Sequence, residues 1–191
     1  MILPIVAYGD PVLQQEGKEL TPDHPGLSEL IDNMFETMYA AHGVGLAAPQ
    51  VGKSLKLFVV DASPFAEDEP SLEGFKKVFI NPVILKEEGD HWSFNEGCLS
   101  FPDLRIDIDR QEQVTIRYQD RDFNTHEETY TGLAARVLQH EYDHVYGVVF
   151  TDRVTPIRRR MLKGKMNNIA KGKVQADYKM RIYSSKGTAI K

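Results

Sequence analysis

Gln139-His140-Glu141-Tyr142-Asp143-His144 sets two imidazoles one helical turn apart, with a carboxylate directly after the first. At a helical step of about 100° per residue, His144 lies roughly 40° round the axis from His140, and Glu141 flanks the pair on the side nearer His144. Imidazoles so placed can share a metal ion, and the carboxylate can reach a metal-bound water without becoming a ligand. Leu133, Val137, His140 and His144 follow at i, i+4, i+7 and i+11, so the spacing predicts one inward-facing stripe on one helix. Thr131 or Gly132 is placed to start this helix and Gly147 to end it. Its apolar half makes Leu133 and Val137 the expected wall of a pocket beside the metal.

Working outward, Leu27, Leu30, Ile31, Met34 and Met38 recur at helical spacing and predict an amphipathic helix between Gly26 and His42. Gly43 to Gly52 then carries three glycines and Pro49 but is too apolar for a solvated loop, so a buried, close-approach loop is expected. Strands are expected at Leu57 to Val60, Val78 to Val83, Val114 to Tyr118 and Thr125 to Thr131. Ser63 to Gly74, rich in Pro, Glu and Asp, reads as a surface insertion. Thr155 and Pro156 are suited to the N-cap and first position of a last helix carrying Arg158, Arg159, Arg160, Lys163 and Lys165. No acidic residue occurs from Arg153 through Ala176, which reads as a solvated basic face or as a surface for an anionic partner.

The chain of 191 residues shows neither a repeat nor a long low-complexity linker, so one domain is expected. A net charge of -5 argues against a general nucleic-acid binder. No apolar run approaches the roughly 20 residues of a membrane span, and the start lacks a signal peptide's basic and apolar regions, so a protein that stays where it is made is expected. One cysteine, Cys98, cannot form an internal disulfide.

Two histidines do not close a catalytic metal site, which takes three protein ligands plus water. A third histidine three residues after Gly147 is ruled out because Phe150 stands there, and the acid-free stretch after Arg153 offers no downstream glutamate. The ligand is therefore sought upstream, and Cys98 in Glu96-Gly97-Cys98-Leu99-Ser100 is the best candidate. Its thiolate is a strong ligand, and Gly97 permits a close backbone approach.

Gly43-Val44-Gly45-Leu46-Ala47-Ala48-Pro49-Gln50-Val51-Gly52, Glu96-Gly97-Cys98-Leu99-Ser100 and Gln139-His140-Glu141-Tyr142-Asp143-His144 resemble, in order, the three signature motifs of peptide deformylases. The resemblance runs from about Ile5 to Arg153. It implies an α+β domain spanning 1–191, with antiparallel strands packed around a central metal-binding helix, a core of about 5–170 and a tail of 171–191. The activity implied is removal of the formyl group from the N-terminal formylmethionine of new polypeptides, releasing formate. Cys98, His140 and His144 would hold one divalent metal per chain, Fe2+ in the cell, with Zn2+, Ni2+ or Co2+ acceptable to the same ligands. Glu141 would move the proton, and the Gln50 side-chain amide and Leu99 backbone N–H would face the developing negative oxygen.

Val44, Gly45, Gly97, Leu133 and Val137 are expected to receive the methionine and the peptide backbone, with Gly43 and Gly45 leaving room for the peptide. Arg136 is expected to turn its guanidinium to the pocket rim. Glu96 or a backbone carbonyl is expected to orient a ligand or an arginine such as Arg105. The implied partners are N-formylmethionyl nascent chains and, through the basic last helix, ribosomal RNA, in a bacterial-type cytoplasm and without a membrane. The residues themselves leave two other readings open: a peptidase using the same helix, and a metal-stabilised binding module in which a fourth ligand closes the site.

Overall fold

The computed structural model describes residues 1–184 and 189–190. In chain order the elements are β1 (Ile5–Val6), α1 (Leu27–Ala40), β2 (Gly45–Ala47), β3 (Leu57–Asp61), β4 (Lys76–Cys98), β5 (Phe101–Gln119), β6 (Thr125–Thr131), α2 (Gly132–Val145), α3 (Pro156–Ala170), β7 (Met180–Ile182) and β8 (Ala189–Ile190). Strands β2 to β6 form one antiparallel sheet in sequence order, while β1, β7 and β8 form a small second sheet in which β1 and β7 run parallel. The α+β expectation is met.

The apolar run of β3 explains the layering. Leu57 and Val59 pack with Ile31, Met34 and Met38 of α1, whereas Phe58 and Val60 pack with Ala134, Val137 and Leu138 of α2. A strand covered on both faces needs no polar alternation, so the sheet is sandwiched between the two helices. A third cluster joins Phe101, Leu104, Ile106 and Ile108 of β5 to Phe150, to Met166 and Ile169 of α3, and to Met180 and Ile182 of the tail. Helix α2, which starts after Thr131, is buried at every position from Ala134 to Val145 except Tyr142. It is the central helix that the two histidines required.

Two expected strands prove to be pieces of much longer ones. β4 and β5 form a long hairpin whose apex is Leu99-Ser100, with Cys98 opposite Phe101. The Ser63–Gly74 segment lies at the surface, its residues half-buried or exposed apart from Leu72. That segment folds into two short 3-10 turns, buries Leu72, and lets Glu69 accept the α2 backbone N–H of Leu133 at 3.2 Å. A carboxylate at a helix N-terminus satisfies an orphan donor and the helix dipole, which ties the segment down. In the tail, Met180–Ile182 pairs as β7; residues 185–188 and 191 of that tail lie outside the described residues.

Candidate metal centre and active site

The β4–β5 apex, the β2 segment and α2 converge on a cavity of ≈ 540 Å³. One ligand atom from each of Cys98, His140 and His144 lies within 4.8 Å of the others, and Cys98 Sγ is 3.3 Å from His144 Nε2. No other group of three His, Cys, Asp or Glu side chains among the described residues gathers in this way.

Glu96 organises the surroundings. Its Oε2 lies 2.9 Å from His140 Nδ1, which fixes that ring and leaves Nε2 for the cluster. The same carboxylate accepts from Arg110 Nε at 2.7 Å and from Arg136 Nη1 at 3.0 Å. Arg110 continues to Asp143, which also pairs with Arg153. Burial would push the Glu96 carboxyl up, but His140 and Arg110 outweigh it and hold the group well below the usual carboxylate range.

The two imidazoles of the cluster differ. Burial draws His140 down, yet Cys98 and Glu96 beside it raise its pKa well above the ordinary value. Burial, then the nearby charge of His140 and Arg110, lowers His144 well below the ordinary value. A thiol and two imidazoles gathered in this way suit a thiophilic divalent metal. The buried Glu141 Oε2, which has no hydrogen-bond partner, fits a site that is completed by more than protein.

Glu141 is buried, and that burial pushes its carboxyl up to about 7, although the His140 charge opposes the shift. Gly45 makes room for it. A Cβ there would stand 2.6 Å from Glu141 Oε1, and one at Gly43 would stand 2.8 Å from Leu99 Cδ1. The missing side chains thus admit Glu141 and Leu99, a closer constraint than the room for peptide expected at these glycines. Gln50 accepts the Ala47 N–H at 2.8 Å, which turns its amide so that Nε2 donates to Ser100 Oγ at 3.4 Å and faces Cys98 Sγ at 3.6 Å.

Of the expected site residues, Val44, Gly45, Gln50, Gly97, Cys98, Leu99, Val137, His140 and Glu141 line the cavity. His144 and Leu133 do not: His144, 1% exposed, meets the cluster through Cys98 Sγ, and Leu133, in the first turn of α2, packs into the sheet–α2 cluster instead. Arg136 corrects a second expectation. It is 2% exposed, bonded to Glu96 and to the carbonyls of Ile108 and Trp92, and its guanidinium lies 4.5 Å from the Trp92 ring centroid. Those partners compensate its burial and hold it off the rim. Arg105 bonds to Asn95 rather than to Glu96. Phe65 and Tyr178 also line the cavity. Neither carries a local motif; each is brought in by tertiary packing.

The polypeptide deformylase family model matches residues 2–160. The chain belongs to that family. It is 53% identical to a peptide deformylase of Christiangramia forsetii, over 97% of this chain and 98% of the relative. It is 54% identical to one of Flavobacterium psychrophilum, over 97% and 100%. Among solved structures, a peptide deformylase from Legionella pneumophila matches with a TM-score of 0.77 and 38% identity, over 91% of this chain and 98% of that one.

Proposed function

We propose that the cavity built around Cys98, His140 and His144 is where this chain hydrolyses the formyl amide of N-formylmethionyl polypeptides. The deformylase family is metal-dependent and removes the formyl group from nascent chains, and this chain is a hydrolase of that family. The observation that carries the assignment of residues is the gathering of three ligand atoms within 4.8 Å beside a buried carboxylate with a free oxygen. Residues 1–191 are read as one catalytic unit.

A divalent ion held by Cys98, His140 and His144 supplies the Lewis acidity that makes water nucleophilic near neutral pH. Glu141 takes a proton at its carboxylate and returns it to the departing amine nitrogen. Gln50 Nε2 and the Leu99 N–H donate to the formyl oxygen as it gains charge. Val44, Gly45 and Gly97 border the peptide backbone, and Val137 supports the apolar side of the methionine pocket, which a flexible thioether fills well. Arg136, anchored on Glu96, gives that pocket one polar wall.

Fe2+ is the proposed ion in the cell, with Ni2+, Co2+ or Zn2+ able to take its place. No helix among the described residues is long and apolar enough to cross a membrane, and a bacterial-type cytoplasm is the proposed setting. Helix α3 exposes Arg158, Arg160, Lys163 and Lys165, which supports transient contact with ribosomal RNA. The reading is tested by supplying anaerobically purified enzyme with formyl-Met-Ala-Ser and acetyl-Met-Ala-Ser. Formate without acetate, at about one metal per chain, supports it; cleavage of the unformylated Met-Ala bond would favour a peptidase.

A further inference from the structure

Residues beyond 160 lie outside the match to the family model, yet they return to the cavity. Tyr178 lines it and donates its hydroxyl to the Leu99 carbonyl at 2.8 Å. Leu99 and Ser100 form the two-residue apex of the β4–β5 hairpin, and the next carbonyl, that of Ser100, accepts the Tyr8 N–H at 2.9 Å. Both apex carbonyls are therefore held from outside the hairpin, by the tail and by the segment after β1.

The tail is itself fastened at its base. β7 pairs with β1 through Ile5–Met180 and Val6–Arg181. Arg181 Nη2 reaches Asp10 Oδ2 at 2.9 Å, and its guanidinium packs so closely on Gly52 that a Cβ there would stand 2.2 Å from Nη1. Gly52 closes the turn that presents Gln50. The same short segment of chain thus touches both the hairpin apex and the Gln50 turn. Burial, with Cys98 and Asp177 nearby, raises the Tyr178 hydroxyl, which keeps it a donor throughout the neutral range.

We propose that Tyr178 is a positioning residue for the reaction: its hydroxyl, by holding the Leu99 carbonyl, fixes the hairpin apex so that the Leu99 N–H is aimed at the reacting formyl oxygen. The inference rests on the deformylase reading for its chemistry. A hydrogen bond to one peptide plane limits rotation about Leu99, and the adjoining plane carries the N–H in question. Small errors in donor placement matter because the oxygen draws on the donor most strongly in the transition state.

The test is Tyr178→Phe, which keeps the ring and removes the hydroxyl, in protein with its metal content measured. Steady-state kinetics on formyl-Met-Ala-Ser are read beside amide hydrogen exchange of the zinc-loaded form. We expect kcat to fall about tenfold, less than the ~10²–10³ for deleting such a donor outright, with KM within about twofold and exchange accelerated at Leu99 and Ser100. A purely structural role would instead lower the melting temperature and metal content together, with kcat per bound metal unchanged. That result overturns the proposal, as does unchanged exchange at the apex. Should the wild-type protein release no formate, the deformylase reading falls, and the exchange data alone decide whether Tyr178 holds the apex.

Discussion

Glu96 Oε2 stands 2.9 Å from His140 Nδ1, and both groups are buried. One carboxylate therefore orients a ring of the Cys98, His140 and His144 cluster and neutralises two buried guanidiniums, those of Arg110 and Arg136. Removing it leaves three polar groups without their partner at once. Glu96→Ala is expected to cost about 3–5 kcal/mol of stability, the usual range for breaking a buried ion pair, and to weaken metal binding about 10–100-fold. Urea unfolding of the metal-free protein checks the first figure and competition with a chromophoric chelator the second. An unchanged urea midpoint would contradict the role given to Glu96.

Glu141 separates catalysis from metal holding. Its carboxylate is no member of the three-ligand cluster and one oxygen has no protein partner, so Glu141→Ala should keep the metal. Formate release should fall about 10²–10⁴-fold, the range expected for loss of a positioned proton carrier. Metal analysis alongside the assay decides the matter, since equal loss of both would make Glu141 a ligand.

Gly45 tests the same carboxylate from the other side. Its added Cβ would meet Glu141 Oε1 at 2.6 Å, too close for contact, so Gly45→Ala must displace the carboxylate or the β2 backbone. A misplacement of about 1 Å costs on the order of 10²-fold in rate, and that loss in kcat is expected with metal content preserved. Gly26→Ala is the control. Nothing lies within 4 Å of its Cβ position, so despite the strain of φ 70° at this helix cap, activity should be unaffected.

Much of this arrangement is legible in the sequence because its signals are local. Helical spacing marks α1 and α2, and Thr155-Pro156 marks the start of α3. The Cys98, His140 and His144 cluster announces itself by spacing within α2 and by elimination for Cys98. The strand expected within β5 reaches only Val114 to Tyr118, although the outer part of β5 is readable too: Leu104, Ile106 and Ile108 alternate with Arg105, Asp107 and Asp109, and the buried positions follow that alternation. The outer part of β4 is not, because Lys86 to Ser93 is mostly polar on both faces and its register shifts between Glu88 and His91. Arg136 lies beyond reach of pattern for another reason. A charged side chain is buried only when distant partners neutralise it, and here those are Glu96 and two carbonyls from β4 and β5. Tyr178 meets Leu99 across 79 residues, with no spacing to betray it.

Removing the metal should act on stability as well as activity. A ligand that binds only the folded chain stabilises it by RT ln(1 + [L]/Kd), about 4 kcal/mol at a thousandfold excess over Kd. Dialysis against a chelator is therefore expected to abolish formate release and lower the melting temperature, and added Co2+ or Ni2+ should restore both. The Fe2+ form should lose activity in air faster than under argon, since a thiolate beside ferrous iron is open to oxidation. Equal half-lives in air and argon would count against iron as the ion in use.

Acid stability is set partly far from the site, at Glu128 on β6. Its Oε2 accepts from Lys77 Nζ and Tyr118 Oη, each at 2.8 Å, and from the Tyr130 hydroxyl. Partial burial pushes the carboxyl up, but these three donors outweigh it and hold it down at about 2. A folded pKa below the unfolded value of about 4.3 means that the carboxylate contributes fully above that pH, and that the contribution is lost as pH falls towards 2. The side chain is 36% exposed, so screening keeps the effect modest. The stability difference between the wild-type chain and Glu128→Gln, from urea unfolding, should be level above about pH 5 and shrink steadily below it. A difference that stays constant down to about pH 2.5 would show that Glu128 acts through packing and hydrogen bonds alone, with its charge immaterial.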